Sequence, residues 1–284
     1  MAVDPQFDVN DFVRRVLAED LGSGGDITSA ATIDAGARFT AEMNCRQPIT
    51  IAGLDIAIAF FRGMDQGVRI GKATRDGESV DAGTVLLRLE GNARSMLAAE
   101  RSALNTLQHL SGIATLTRQY VDLIEGTGAT LLDTRKTIPG LRLLEKYAAR
   151  MGGAENHRIR LDDGLLIKDN HVAVAGGVAE AVAAANAANT GFPVQVEVDR
   201  VDQIEPALTA GADRLLLDNM PPPVLREAVA LVAGRVPLEA SGGVNLETIR
   251  GIAETGVNYI SVGRITQSAP AVDIGLDYSV QKVG

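Results

Sequence analysis

The chain has 284 residues with 36 acidic and 27 basic side chains, a formal net charge of −9. That balance argues against a nucleic-acid partner, whose grip depends on Lys and Arg neutralising phosphates, and against a polybasic membrane anchor. With 46% hydrophobic and 22% charged residues, the composition is that of a globular protein of one large domain or two smaller ones.

In chain order, Phe7, Phe12, Val13, Val16 and Leu17 recur at mostly helical spacing and predict a short helix ending at Glu19-Asp20-Leu21-Gly22, followed by a Gly/Ser loop over 23–26. Residues 38–45 alternate like a strand, Pro48 breaks the run, 49–52 reads as a second short strand and 54–61 as a helix. Strands are expected over 68–74 and 85–90 around Asp76-Gly77, before a long helix over about 93–120. The single Cys45 can form no intrachain disulfide and reads as a small buried hydrophobe; the N-terminal residues lack a signal-peptide pattern, and no run approaches the roughly 20 apolar residues of a membrane span. A cytoplasmic location is therefore expected.

From Thr130 onward the pattern changes. Short apolar runs at 131–133, 165–168, 194–198, 214–218, 237–240 and 259–262 alternate with helical stretches at 178–189, 201–210, 223–232 and 246–254. Repeated βα units imply parallel strands covered by helices. Glu197, Asp218, Glu239, Ser241-Gly242-Gly243 and Gly263 all fall at or just after strand ends. That register favours a barrel, which gathers its chemistry into one ring at that face, although any one of these residues alone could be a simple turn former. The tail after Ile265 resumes no βα unit; its alternating 275–280 stretch is expected to return to the first domain as an edge strand.

The charge is segregated. Between Asp133 and His171 stand eight basic residues against six acidic ones, a net +2 that leaves −11 for the remainder. Arg142, Lys146 and Arg150 recur at i, i+4 and i+8 beside Glu145, the pattern of a solvated helix face. Arg135 and Lys136, His157 and Arg158, and Lys168 instead sit just past strands or a Gly-Gly pair, where side chains converge, and could bind a small polyanion carrying carboxylates and phosphates. Glu197 and Asp218 follow apolar strands one βα unit apart; they are either caps and ion-pair partners or groups that face developing positive charge and ribose hydroxyls. The late loops Ser241-Gly242-Gly243 and Val262-Gly263-Arg264 offer exposed amides to a phosphate.

Several segments together resemble the quinolinate phosphoribosyltransferase family: Glu19-Asp20-Leu21-Gly22 with Gly25-Asp26-Ile27-Thr28, the 100–105 stretch with Glu100-Arg101, Asp133-Thr134-Arg135-Lys136-Thr137, Gly152-Gly153 with Asn156-His157-Arg158, Ile167-Lys168 leading to His171, Val196-Glu197-Val198, Leu217-Asp218-Asn219, Glu239 to Gly243 and Ser261-Val262-Gly263. The resemblance covers nearly the whole chain in order. It implies an α/β protein built as an N-terminal α+β open sandwich (1–112, with the tail 266–284 packing back on it) and an incomplete α/β barrel (113–265). It implies a transferase that joins quinolinate to phosphoribosyl pyrophosphate, releasing nicotinate mononucleotide, pyrophosphate and CO2, with Mg2+ accompanying the pyrophosphate. By matching motif, Lys136, Lys168, Glu197 and Asp218 would be catalytic. Thr134, Arg135, His157, Arg158 and His171 would join the lysines in holding carboxylates and phosphates, Asn219 would lie with Glu197 and Asp218 by the ribose, and Ser241, Gly242, Gly243, Val262, Gly263 and Arg264 would hold the 5′-phosphate. The resemblance also implies a homodimer, able to assemble further, in which Arg101 reaches the neighbour's site.

Three rival readings come from other classes. Lys168 or Lys136 at a strand end could form a Schiff base if neighbouring cations lowered its pKa. A non-catalytic or differently specific relative of the same fold, such as the molybdenum-transport-associated proteins, would not require Arg101 and the full basic set. The 76–86 stretch resembles half of a lipoyl or biotinyl carrier domain, but Lys72, the only lysine before Lys136, lies in the preceding strand and not in the turn.

Overall fold

A computed structural model describes residues 3–280; the extreme N-terminus and the last four residues of the expected tail lie outside them. In chain order the elements are α1 (Val9–Leu21), α2 (Ile27–Thr32), β1 (Arg38–Cys45), β2 (Ile49–Thr50), α3 (Leu54–Met64), β3 (Arg69–Lys72), β4 (Ser79–Val80), β5 (Val85–Asn92) and α4 (Ala93–Leu123). There follow β6 (Thr130–Leu132), α5 (Arg142–Met151), β7 (Leu165–Ile167), α6 (Asp169–Ala175), α7 (Val178–Ala187), β8 (Val194–Val198), α8 (Ile204–Thr209), β9 (Arg214–Asp218), α9 (Pro222–Val232), β10 (Leu238–Ser241), α10 (Ile249–Ala253), β11 (Tyr259–Ser261), α11 (Arg264–Gln267) and β12 (Ile274–Val280). Among the described residues, no helix is long and apolar enough to cross a membrane.

The chain divides into two units, one built on residues up to 116, 143–153 and those from 268 onward, the other on 117–142 and 154–267. The first carries an antiparallel sheet in the order β12-β1-β5-β3. Strand β1 alternates as read, burying Phe39, Ala41, Met43 and Cys45, and pairs with β12 in the register Met43↔Leu276. Asp8 and Asp26 accept hydrogen bonds from Asp11 N and Ser29 N, starting α1 and α2; the second helix follows directly on the loop read at 23–26. Where the chain returns past α4, it approaches so closely that a Cβ on Gly112 would lie 2.2 Å from the Pro270 carbonyl oxygen.

One expectation for this unit is overturned. The charges of α5 do not form a solvated face: Lys146 is 1% exposed and Glu145 0%, and Glu145 Oε1 lies 2.9 Å from His109 Nε2 on α4. The helix is buried along Leu144, Tyr147, Ala148 and Met151 as well, and Tyr147 donates to Asp76. Spacing at i, i+4 and i+8 states that residues share a stripe; which side of the helix meets protein depends on the neighbours, and here the charged stripe is packed against partners.

The second unit holds a parallel six-stranded sheet in the order β6-β11-β10-β9-β8-β7. Strands β7 to β11 are neighbours in chain order, and β6, the first, pairs with β11, the last, in the register Ile260↔Leu131. An open doubly wound sheet would put the first strand in the interior of the order; pairing first with last is barrel winding with the β6/β7 seam unclosed. At that seam, beside β6, a single parallel bridge joins Leu132 to Glu155. This is the incomplete α/β barrel expected, and its covering faces are apolar: Val196, Leu215, Leu217 and Ile260 have no exposed surface.

Candidate active site

The two-residue period of a strand sorts the barrel's side chains. Leu215 and Leu217 point toward the helices, so Arg214, Leu216 and Asp218 point inward from β9. By the same alternation β8 turns Gln195 and Glu197 inward, β10 Glu239 and Ser241, and β11 Tyr259 and Ser261. Registers Gln195↔Arg214, Glu239↔Tyr259 and Ser241↔Asp218 put these residues in layers. The lower layer is closed by polar contacts. Arg214 Nη2 and Gln195 Nε2 donate to Glu239 Oε2 at 2.6 and 2.8 Å, and the Arg214 guanidinium lies 3.9 Å from the Tyr259 ring centroid.

Above that layer opens a cavity of about 730 Å³, a size suited to a small-molecule site, lined entirely by the second unit. It is lined by Thr134, Arg135, Lys136, His157, Arg158, Lys168, Glu197, Asp218, Asn219, Ser241, Gly242, Gly243, Val262, Gly263 and Arg264, all expected from the sequence. Leu166, Asp169, Leu216, Glu239, Val244, Ser261 and Gln267 line it too; the sequence places Glu239 at a strand end of the barrel's ring but assigns none of these seven a role. Two of the expected residues are not among its lining. Arg101 is exposed on α4 in the first unit, and the His171 ring is turned to the backbone, its Nδ1 accepting from Lys168 N at 2.9 Å as part of the capping of α6.

The basic side is held by its loops. Past β6, Lys136 N donates to Thr134 Oγ1 (3.0 Å) and Lys136 O accepts from Thr266 Oγ1 (2.7 Å), so the turn is tied at both ends. The Lys136 stem lies across Gly263, where a Cβ would come within 2.7 Å of its Cδ. Asp133, with no exposed surface, accepts from His157 N (2.8 Å) and Asn156 Nδ2 (2.5 Å), and Arg158 Nη1 donates to Gly164 O (3.1 Å). Burial, and then the like charge of Arg135, push the Arg158 pKa down. Arg135 Nε is itself buried without a hydrogen-bond partner among the described residues. Two guanidiniums that repel one another, one with an orphaned donor, form a site whose charge favours an anion between them.

The acidic side is opposite in character. Burial raises the pKa of Glu197, and the neighbouring Asp218 raises it further, with Lys168 acting against them. Burial also raises that of Asp218, against the hydrogen bond from Asn219 Nδ2 (2.6 Å) and the charge of Lys136. Glu239, by contrast, is held below the usual carboxylate range: its burial pushes upward, but His157 and Arg214 outweigh it. Among the described residues, no group of three or more His, Cys, Asp or Glu is placed to hold a metal ion by itself.

Asn219 and Gly242 make the sharpest turn of the site. Asn219 adopts φ 54° and donates its N–H to Ser241 O at 2.8 Å, while Gly242 has φ 90° and would place a Cβ 2.2 Å from Asn219 Oδ1 and 2.9 Å from Asn219 N. Gly242→Ala is therefore expected to cost about 1–3 kcal/mol of stability, read as a lower Tm.

Residues 26–111 match the family described as quinolinate phosphoribosyl transferase, N-terminal domain, and 113–277 the corresponding C-terminal domain. The chain is 45% identical to the nicotinate-nucleotide pyrophosphorylase [carboxylating] of Mycobacterium leprae, covering 98% of this chain and 100% of that one. It is 41% identical to a probable enzyme of the same description from Bacillus subtilis, covering 92% and 90%. Among solved structures, the nicotinate-nucleotide pyrophosphorylase of Francisella tularensis superposes with a TM-score of 0.91 at 42% identity, covering 95% and 96%. That of Ehrlichia chaffeensis superposes with 0.93 at 38%, covering 96% and 100%.

Proposed function

The chain belongs to the quinolinate phosphoribosyltransferase family, and we propose that it carries out that family's reaction in the cavity of the second unit. It is a pentosyltransferase of NAD biosynthesis: it joins quinolinate to phosphoribosyl pyrophosphate with decarboxylation, giving nicotinate mononucleotide, pyrophosphate and CO2. The observation that carries the assignment of the cavity is its polarity. Arg135, Arg158, Lys136 and Lys168 share one chamber with Glu197 and Asp218, as two multiply charged anions and one developing cation require.

In the first step the C1–O bond to pyrophosphate breaks, its electron pair leaving with pyrophosphate, while the pyridine nitrogen's lone pair forms the new N–C1 bond. Positive charge develops at C1 and its ring oxygen. Glu197 and Asp218 are assigned to stabilise it electrostatically, and Lys168, whose charge acts on both carboxylates, and Lys136, whose charge acts on Asp218, to offset the charge on pyrophosphate. The resulting pyridinium is an electron sink. The bond from C2 to its carboxylate breaks, CO2 departs, and C2 takes up a proton. The cationic groups must orient quinolinate without gripping the departing carboxylate more tightly than its transition state. Arg135 and Arg158, with His157 beside them, are assigned to the quinolinate carboxylates. Asn219, Ser241, Gly242, Gly243, Val262, Gly263 and Arg264 are assigned to the ribose and its 5′-phosphate. Mg2+ would enter as part of the substrate, with phosphoribosyl pyrophosphate. The donor set suits that role, because Glu197 and Asp218 are each matched by a lysine, so that pyrophosphate and water supply most of the ion's oxygen ligands.

The active assembly in this reading is a homodimer, with Arg101 of the partner subunit completing each cavity; support comes from an exposed arginine in the matched segment that does not line its own chain's cavity. A cytoplasmic location is supported by Cys45, a buried free thiol. The functional test is competition: wild-type protein with Mg2+ and phosphoribosyl pyrophosphate is expected to form nicotinate mononucleotide from quinolinate and to leave nicotinate untouched. Turnover of nicotinate in preference to quinolinate would reject the reading.

A further inference from the structure

Glu239 takes no part in the chemistry above, yet it is a fully buried carboxylate in the barrel interior. Its Oε2 accepts from Arg214 Nη2 (2.6 Å) and Gln195 Nε2 (2.8 Å), and the same oxygen faces His157 Nε2 at 3.5 Å. The other nitrogen of that ring, Nδ1, accepts the backbone N–H of Arg158 at 2.8 Å. A backbone amide keeps its proton, so Nδ1 is the unprotonated nitrogen and the ring proton sits on Nε2, toward Glu239. Asp133, equally buried, fixes the same segment through His157 N (2.8 Å). Thus the residue immediately before Arg158 is clamped by two buried carboxylates, one just past β6 and one on β10.

We propose that Glu239 is a positioning residue for quinolinate: it holds the His157 ring in its Nε2–H tautomer, and the ring's Nδ1 in turn anchors the Arg158 backbone so that the guanidinium is presented to a substrate carboxylate. An apolar side chain of similar size would leave Arg214, Gln195 and the His157 Nε2–H facing one another with no acceptor. Asp133 alone would fix the His157 backbone and not its ring. The proposal rests on the assignment of Arg158 to quinolinate.

The test has a spectroscopic and a kinetic arm. In 15N-histidine NMR of the ligand-free wild-type protein, with His157 assigned by its loss in His157→Asn, the ring is expected as the Nε2–H tautomer; an Nδ1–H tautomer would overturn the proposal. Glu239→Gln is expected to weaken that tautomer preference, which the Arg158 N–H still supports at Nδ1, and to raise KM for quinolinate about 10- to 100-fold, the scale of a small misplacement in a reactive site, with KM for phosphoribosyl pyrophosphate unchanged. Because Glu239→Gln leaves Arg214 without its counter-charge, the double variant Arg214→Met/Glu239→Gln, which removes both charges, is measured beside it and should show the same selective rise in KM. Unchanged KM for quinolinate in the folded fraction of either variant, or an equal rise for both substrates, would reduce Glu239 to a structural part of the core. If wild-type protein used no quinolinate at all, the functional reading would fall, while the tautomer would still report on the Glu239–His157 link independently.

Discussion

Replacing Glu197 with Gln should lower kcat by about 10²–10³-fold, the scale of removing one preorganised electrostatic partner, while KM for quinolinate stays near its wild-type value. Gln keeps the side chain's shape and removes only the charge that faces the cation developing at C1. The same variant is expected to be the more heat-stable protein at neutral pH. Burial and Asp218 raise the folded-state pKa of Glu197 above its unfolded value, so this group favours folding where it is protonated, below the ordinary carboxylate pKa of about 4.3, and loses that contribution as pH rises through the raised value. At neutral pH the ionised Glu197 therefore opposes folding relative to a neutral isostere. Calorimetry should find Tm of Glu197→Gln above wild type at neutral pH, with the gap shrinking as the pH is lowered toward about 4. The linked kinetic sign is that wild-type kcat falls on the acid side at a pH above the ordinary carboxylate range, since protonation of Glu197 or Asp218 removes the charge the transition state needs. A raised KM with unchanged kcat would make Glu197 a binding group only.

The second large effect concerns the assembly. Arg101→Ala and Lys136→Ala are each expected to be nearly inactive, because in the proposed dimer the first removes the guanidinium supplied to the partner's cavity and the second a cation of the chain's own cavity. Mixed and allowed to re-associate at random, the two should recover about a quarter of wild-type activity. Half of the resulting symmetric pairs are then mixed, and each mixed pair has one cavity with both residues intact and one lacking both. No recovery, with heterodimers demonstrated by mass, would show that Arg101 does not complete a neighbouring site.

Much of this architecture can be read in the chain before any coordinates, for a physical reason. Parallel barrel strands are shielded by helices, so runs such as 165–167 and 215–217 are strongly apolar, and the chemistry collects in the polar residues where those runs end. Asp218-Asn219, Ser241-Gly242-Gly243 and Lys168 stand out on that ground alone. Less legible is the layer beneath. Gln195, Arg214 and Tyr259 lie within the strands, where a polar residue in an apolar run looks incidental, and Glu239, legible as a strand-end carboxylate, does not disclose its partners; only the period-2 alternation Gln195/Glu197, Arg214/Asp218 and Glu239/Ser241 marks them as one inward-facing set. Asp133 is legible as a strand end and as part of a motif, but its role is not, since its partners at 156–157 are brought to it by the seam of the barrel and not by sequence proximity. The charged stripe of α5 misled in the opposite direction: Glu145 and Lys146 sit at positions that suit solvent, and only tertiary contacts such as that with His109 reveal their burial. The average charge of −9 was uninformative about small ligands, because the basic residues proposed to bind anions are concentrated in the 133–171 stretch.

The central claim is that transfer and decarboxylation occur together on quinolinate in this cavity. It is tested most directly by giving the wild-type protein Mg2+, phosphoribosyl pyrophosphate and quinolinate carrying an isotopic label in the 2-carboxylate, and following the label. The prediction is one labelled CO2 and one pyrophosphate for each nicotinate mononucleotide formed, with no label in the nucleotide. Label retained in the nucleotide, or pyrophosphate released without labelled CO2, would contradict it.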